Sequence, residues 1–533
     1  MNLDRLMAEA AQIRLAVDAK FAELVAAIKK QEATNPGASH PGSEVRRLTA
    51  ELRALNAKLG RAGKRLQQAV GVSEEELEAI ERAGLPPYDD RWWRHQIVET
   101  PPSEYLDDFT PQAVRALMAH VNPEWLKEQA GRSYRLDDIF LSTPLHIVGG
   151  VRVIPAGAQA PPPQRFAHML LVTIDHLDKR DDLDFFAAAG FVPELTALGC
   201  RLDLLPKLGP EAIRKFERLP LATDDEVPSM TYELLVGTAC VLKGRNTEML
   251  AATGSGKSPD FRLHDMGAPA VIECKRRQGL TRYELDEAAL VEQLYRPLRQ
   301  HVRANGLHGS LEVRFRVPVE MVDHGEFTHV LTSGLGQTTD VDRVLTNWGE
   351  FSYRRLPFAG RTSDTRLYSP DFLQQVFAWS PLDNEWDGLL CEVEPPTRIR
   401  VKEFRLPFCL KWRSNSAEAV TKKARGVTSL WASAAKQIPA GEVGFVYIAY
   451  PEGQRGELAD ARTRHILATS SELWHRWSIR IPVTVIGRLY ARPLGPGVPD
   501  LIESALPGVS PGEEHWLAQL PGRVFFARRE DRA

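Results

Sequence analysis

Apolar side chains recur at three- and four-residue steps along the start of the chain: Leu6, Ala10, Ile13, Val17, Phe21, Leu24 and Ile28. That spacing predicts an amphipathic helix. The run Asn35-Pro36-Gly37-Ala38 interrupts it, and a second stripe follows at Val45, Leu48, Leu52, Leu55, Leu59, Leu66 and Val70. Two such helices across a Pro/Gly turn predict a helical hairpin or coiled-coil arm over residues 1–85, suited to packing or to forming a homodimer.

The pattern then becomes mixed. Residues 86–225 read as mostly helical, with helices near Gln112–His120 and Pro123–Gln129 and strands at Pro144–Val148 and Val151–Ile154. No function can be assigned to this stretch. The pair Trp92-Trp93 between Arg91 and Arg94 could stack bases, but buried tryptophan beside a paired arginine is the plainer reading. Residues 323–390 carry little periodicity and read as an irregular insertion or linker. Asp323, His324, Glu326 and His329 lie within it, at a spacing that fits surface residues better than a metal site. From 391 to 495 strands and helices alternate: strands at Phe404–Trp412, Val443–Tyr450 and Ile481–Leu489, helices at Ala417–Gln437 and Leu458–Trp474. Residues 496–533 form a Pro/Gly-rich tail with one last strand at Val524–Phe526. The fold class is α/β.

Composition changes this picture little. At 533 residues, 43% apolar and 26% charged, the chain is expected to hold several soluble domains. A formal charge of −3 offers no global attraction to a polyanion, so nucleic-acid binding would need local basic patches. Cys200, Cys240, Cys274, Cys391 and Cys409 are odd in number and widely spaced, which argues against a disulfide framework or zinc ribbon and for a cytoplasmic setting. The charged N-terminus and the lack of a long apolar run predict neither a secretory signal nor a membrane span.

Chemistry concentrates between residues 226 and 322. Pro259-Asp260-Phe261-Arg262-Leu263 and Ala270-Val271-Ile272-Glu273-Cys274-Lys275 read as two strands around a turn at Met266-Gly267. In that register, residues whose numbers sum to 533 face each other, and Asp260 and Glu273 are such a pair. Opposed carboxylates repel unless a cation lies between them. Period-two alternation places Lys275 on the face of Glu273, where an ammonium could hold a water or offset charge on a phosphate. These residue types suit metal-assisted phosphodiester hydrolysis, with Mg²⁺ or Mn²⁺ as the ion.

Pro259-Asp260 followed by Glu273-Cys274-Lys275 resembles the PD-(D/E)XK nuclease superfamily. The order of acid-bearing helix, strand, ExK strand, crossover helix and strand is similar too. The resemblance covers Met230 to Val319 and implies a mixed central sheet of restriction-endonuclease-like type with flanking helices, in residues 226–322. By that resemblance Asp260 and Glu273 are metal ligands, Lys275 positions or activates the water, and Glu233 is the acid carried on the preceding helix. The partner implied is nucleic acid, DNA favoured over RNA, in a setting such as restriction or anti-phage defence. Arg276, Arg277, Arg282, Arg296 and Arg299 follow closely and could contact phosphates.

Two further motifs compete for attention. Ala251 to Ser258 fits a permissive Walker A loop, but the proline and alternating residues after it predict a strand where a phosphate loop needs a helix. Phe408-Cys409-Leu410-Lys411-Trp412-Arg413 echoes Ile272 to Arg277, so that residues 391–495 could be a degenerate nuclease-like repeat with Cys409 in place of the acid. Lys422, Lys423 and Arg425 would then shape a DNA surface; an unrelated α/β domain is the equal alternative. The readings that stand beside a nuclease are a catalytically inactive scaffold of the same fold and a nucleotide-binding protein using Lys257.

Overall fold

The computed structural model describes most of residues 104–525 and single positions between 16 and 51; residues 153–162, 252–257, 378–385 and most of 452–479 are among those left out. The chain divides into two compact units, Met1–Pro86 and Pro87–Ala533. In the first, the described positions are helical, and the Lys20 ammonium lies 2.6 Å from Glu23 and 3.2 Å from Glu51, linking the two predicted apolar stripes. The rest of the expected coiled-coil arm, and the Trp92-Trp93 segment, lie outside the described residues.

The second unit opens with α1 (Glu104–Met118), α2 (Pro123–Ser142), β1 (Leu145–Val148) and β2 (Val151–Arg152). Four helices follow: α3 (Arg165–Asp178), α4 (Phe185–Gly199), α5 (Pro210–Glu217) and α6 (Glu226–Leu242). Then come β3 (Thr247–Met249), β4 (Phe261–Leu263), β5 (Ala270–Arg276), α7 (Arg282–Ala304) and β6 (Gly309–Phe315). The middle of the unit holds α8 (His324–Leu335), β7 (Val341–Leu345), β8 (Gly349–Arg355), β9 (Ala359–Arg366) and α9 (Pro370–Phe377). Next are β10 (Gly388–Glu392), β11 (Arg400–Arg405), β12 (Phe408–Ser414), α10 (Ala417–Ala435) and β13 (Val443–Pro451). The long β14 (Arg480–Gly495) and β15 (Val498–Val509) precede a short α11 (His515–Gln519).

Two mixed sheets organise these elements. The first has the order β15-β14-β13-β5-β4-β3, with β5, β13 and β14 parallel and the outer pairs antiparallel. Its parallel centre is apolar on both faces. Phe445, Tyr447 and Ala449 of β13 join the core formed with α6 and the earlier helices, while Val446, Ile448 and Tyr450 pack with Trp431 and Ala434 of α10. The second sheet has the order β2-β1-β10-β12-β6-β8-β7. Val291, Leu294 and Leu298 of α7 and Phe327 and Leu331 of α8 cover one face, and Phe372, Leu373 and Val376 of α9 join the core on the other.

This partition corrects several expectations. Strand β6 does not follow β5 into its sheet; β5 pairs in parallel with β13, Val443 beside Ala270 through Ala449 beside Arg276, and α10 is the helix that precedes β13. The core expected within residues 226–322 therefore does not close there. Residues 391–495 are likewise shared: β10 and β12 belong to the second sheet, β13 and β14 to the first. Among its described residues the stretch 323–390 holds two helices and three complete strands; β7 exposes Asp342, Arg343 and Leu345, and β9 carries no large apolar residue, so neither shows an apolar alternation. The single strand expected at Phe404–Trp412 is split at Leu406-Pro407, where Leu406 has φ 45° and proline cannot donate to a ladder. The Pro/Gly-rich tail opens with β15, which pairs with β14 in a long hairpin. Its prolines are tolerated because β15 is an edge strand and β14 pairs with β13 only as far as Leu489. Val524 and Phe525 form no strand; their carbonyls accept from the Arg201 guanidinium at 2.6 and 2.7 Å.

Candidate active site

Helix α6 brings the first acid. Nearly every residue of α6 is buried, and Glu233 is a carboxylate within that apolar sequence, its side chain 14% exposed. One turn on, Gly237 lies against β4: a Cβ there would stand 2.6 Å from the Phe261 ring. The missing side chain lets the helix lie close on the strand that Asp260 opens.

The β4–β5 register is the one the sequence predicts. Phe261 faces Ile272, Arg262 faces Val271 and Leu263 faces Ala270, each pair summing to 533. The connection spans residues 264–269, longer than a tight turn, with Gly267 at φ 70° near its middle. Asp260 lies just past the last of these pairs, where the register slips by one: its N–H donates to the Ile272 carbonyl at 3.0 Å, and its Oδ2 accepts from the Cys274 N–H at 2.7 Å. Asp260 is thereby fixed beside Glu273 by two backbone bonds that bracket it.

Glu273 is 1% exposed, and the Lys275 ammonium on the same strand face donates to its Oε1. Its Oε2 is buried with no hydrogen-bond partner. A fifth group completes the cluster, Lys215 of α5, whose ammonium donates to Glu233. Sequence reasoning missed it. Within Ile213-Arg214-Lys215-Phe216 it reads as one more charge on an amphipathic helix, and only the packing of α5 on α6 reveals it.

The electrostatics follow from burial. Asp260 is raised well above the ordinary carboxylate range, first by burial, then by Glu233 and Glu273, with the Cys274 N–H and Lys215 opposing. Burial likewise pushes Glu273 up to about 7, against the pull of Lys275. Burial alone would lower Lys215, but Glu233 and Asp260 hold it above its usual value. Three carboxylates thus face two ammoniums, leaving one negative charge in excess when all are ionised.

Among the described residues, no group of three or more His, Cys, Asp or Glu side chains stands ready to hold a metal ion. Glu233 and Glu273 are each turned to a lysine. The donor set nonetheless fits a hard divalent cation: all ligand atoms are carboxylate oxygens, one of them buried and unsatisfied.

The neighbouring basic residues are mostly committed elsewhere. Arg276 pairs with Glu194 and Arg277 with Glu284, both largely buried; Arg299 pairs with Glu392, and Arg282 with Asp286 at 2.9 Å. Lys423, expected on a DNA surface, is buried; Lys422 pairs with Glu320 and Glu418, and Arg425 is exposed. Asp323 caps α8, accepting from the Glu326 N–H at 2.7 Å. The loop 252–257, with Lys257, lies outside the described residues, and the chain from Ser258 leads into strand β4. Compared with protein-family models, curated proteins and solved structures, the chain gives no match. No helix among the described residues is long and apolar enough to cross a membrane.

Proposed function

We propose that this chain is a metal-dependent nuclease that hydrolyses phosphodiester bonds, with DNA favoured as substrate and Mg²⁺ or Mn²⁺ as the ion. The observation that carries the reading is Asp260 held on the backbone either side of Glu273, with Lys275 donating to Glu273 and the second Glu273 oxygen buried without a hydrogen bond. The element order supports it as well. Helix α6, the antiparallel strands β3, β4 and β5, helix α10 and the parallel strand β13 follow the restriction-endonuclease-like plan, once the second sheet is recognised as lying between β5 and α10.

In this reading Asp260 and Glu273 hold the ion, with Glu233 as a third acid. The ion would polarise a phosphoryl oxygen and lower the pKa of a bound water. Lys275, 22% exposed beside the buried acid, lies where it can orient the attacking water and offset charge on the phosphate. Lys215 faces Glu233 with a positive charge and would be displaced from it by the ion. The N-terminal arm would pair two chains so that two sites address two strands.

The two lysine–glutamate pairs also favour a second reading, a scaffold that kept the fold and closed its site with internal ion pairs. Purified protein incubated with plasmid and Mg²⁺ separates the two. Cleavage that disappears in Asp260→Ala and Lys275→Ala supports the nuclease. Equal cleavage by wild type and variants overturns it, and no cleavage with no divalent-ion binding leaves the scaffold. Turnover of ATP lost only in Lys257→Ala would point to nucleotide binding instead.

A further inference from the structure

The hydrogen-bond frame of Asp260 occurs a second time, in the other sheet. Asp387 precedes β10 as Asp260 precedes β4. Its N–H donates to the Trp412 carbonyl at 2.9 Å, and its Oδ2 accepts from the Ser414 N–H at 2.7 Å. The corresponding bonds of Asp260, to Ile272 and Cys274, are 3.0 and 2.7 Å. The strands around them match too: β10 is antiparallel to β12 and β12 parallel to β6, as β4 is antiparallel to β5 and β5 parallel to β13.

Overlaying the two bond patterns sets Trp412-Arg413-Ser414-Asn415 on Ile272-Glu273-Cys274-Lys275. The echo read from sequence around Cys409 is therefore four residues out of register, and the counterpart of Glu273 is Arg413. In both frames the two side chains of the strand face touch. Lys275 donates to Glu273, and Arg413 Nε donates to Asn415 Oδ1 at 2.5 Å.

A cation already sits among the acids of this frame. The Lys423 ammonium, 2% exposed, lies 2.9 Å from Asp387 Oδ2 and 2.7 Å from Glu287 of α7. A guanidinium stands in the place of Glu273, and the two carboxylates that remain, Asp387 and Glu287, are already neutralised by Lys423. The strand end instead presents Arg413, half-buried, and Asn415, exposed. Arg314 on β6 is the register partner of Arg413 and is held 5.4 Å over the Trp386 ring.

We propose that Arg413, with Asn415 and Arg314, contacts a backbone phosphate of the nucleic acid without any metal. A planar guanidinium matches two phosphate oxygens, and contacts of this kind position a nucleic acid without reading its sequence. The second frame would hold the strand that the first cuts, so this assignment rests on the nuclease reading.

The test uses the full chain, a fluorescent duplex and EDTA, with anisotropy followed across a salt series. Arg413→Ala is expected to bind about tenfold more weakly, and its log–log salt slope is expected to fall by about 0.9, one phosphate contact. Arg413→Lys should keep the slope while losing part of the affinity, because an ammonium cannot make the bidentate contact. Wild-type protein that binds no duplex even at low salt overturns the nuclease reading along with this one. Wild type that binds, with Arg413→Ala matching its affinity and slope, overturns this assignment alone. Weaker binding at an unchanged slope, with a lower melting temperature, assigns Arg413 a structural role and overturns it equally.

Discussion

Replacing Glu273 by glutamine is expected to stabilise the metal-free protein, the opposite of what most core substitutions do. Glu273 is 1% exposed, keeps one oxygen without a partner, and has its acid pushed from 4.5 up to about 7, by burial first. The folded pKa lies above the unfolded one, so the stability this group contributes is complete below the unfolded pKa. It is lost as pH rises through the folded pKa. A difference of one in pKa between the folded and unfolded chain is worth about 1.4 kcal/mol, which sets a ceiling of about 3 kcal/mol on the cost of ionising it in the fold. Glutamine keeps the shape, cannot ionise and can still accept from Lys275, which at 22% exposed can also turn to water.

Urea unfolding in EDTA should therefore show Glu273→Gln more stable than wild type by about 1–3 kcal/mol near pH 8, with the gap closing near pH 5. Added Mn²⁺ should raise the wild-type midpoint and leave the variant's unmoved, since only a ligand bound to the native state stabilises it. A variant less stable than wild type by the same amount at both pH values would refute the reasoning. Glu273 would then be a satisfied structural partner of Lys275, and its poor solvation would not be the mark of a cation site.

Three other perturbations probe the same frame. Lys215→Met should tighten Mn²⁺ binding severalfold in calorimetry, because it removes an ammonium that competes for Glu233; unchanged or weaker binding would remove Glu233 from the ligand set. Gly237→Ala would drive a Cβ to within 2.6 Å of Phe261 and 2.8 Å of Leu208, so a loss of about 1–3 kcal/mol in denaturant unfolding is expected, with reduced cleavage as α6 lifts Glu233 from Asp260. Glu287, pushed up to about 7 by burial against the pull of Lys423, makes a contribution that disappears as pH rises through that value. Glu287→Gln should then gain on wild type between about pH 5 and pH 8 by up to about 3 kcal/mol, and parallel pH–stability curves would contradict this.

The parts of this molecule that were legible in sequence are those set by neighbours in the chain. The β4–β5 register from Phe261 beside Ile272 to Leu263 beside Ala270 followed from alternation and the turn centre, whereas the slip that sets Asp260 on the Ile272 carbonyl and the Cys274 N–H did not. Helix α10 and strands β1 and β13 also lie close to where apolar spacing puts them, while α1 and α2 overlap their expected ranges but run well beyond them. Lys215 was not legible, because its meaning comes from α5 packing on α6. Nor was the counterpart of the ExK strand. The echo around Cys409 rested on residue types, whereas the structural equivalence rests on which N–H reaches Asp387, and that places Arg413 opposite Glu273.

Sheet membership was the least legible feature, and the reason is steric. Local periodicity shows β5, then a long helix, then β6, and nothing in it says that β6 belongs to another sheet. The chain leaves the first sheet after Arg277 and re-enters helix α7 at Thr281, whose side chain caps that helix with Glu284. It returns in α10, where a Cβ on Gly426 would stand 2.3 Å from Thr281 Cγ2. The exit and the return are thus in contact, so the intervening residues can build most of a second sheet without displacing α10 or β13 from β5. An insertion at a point where its ends already touch adds little closure cost to the parent sheet, since that cost grows only slowly with the length inserted. The same closeness ties the two aspartate frames together: Lys423 lies one turn before Gly426 on α10, and it is the residue that neutralises Asp387. One helix therefore covers the sheet of the first frame with Trp431 and Ala434 and supplies the internal cation of the second with Lys423.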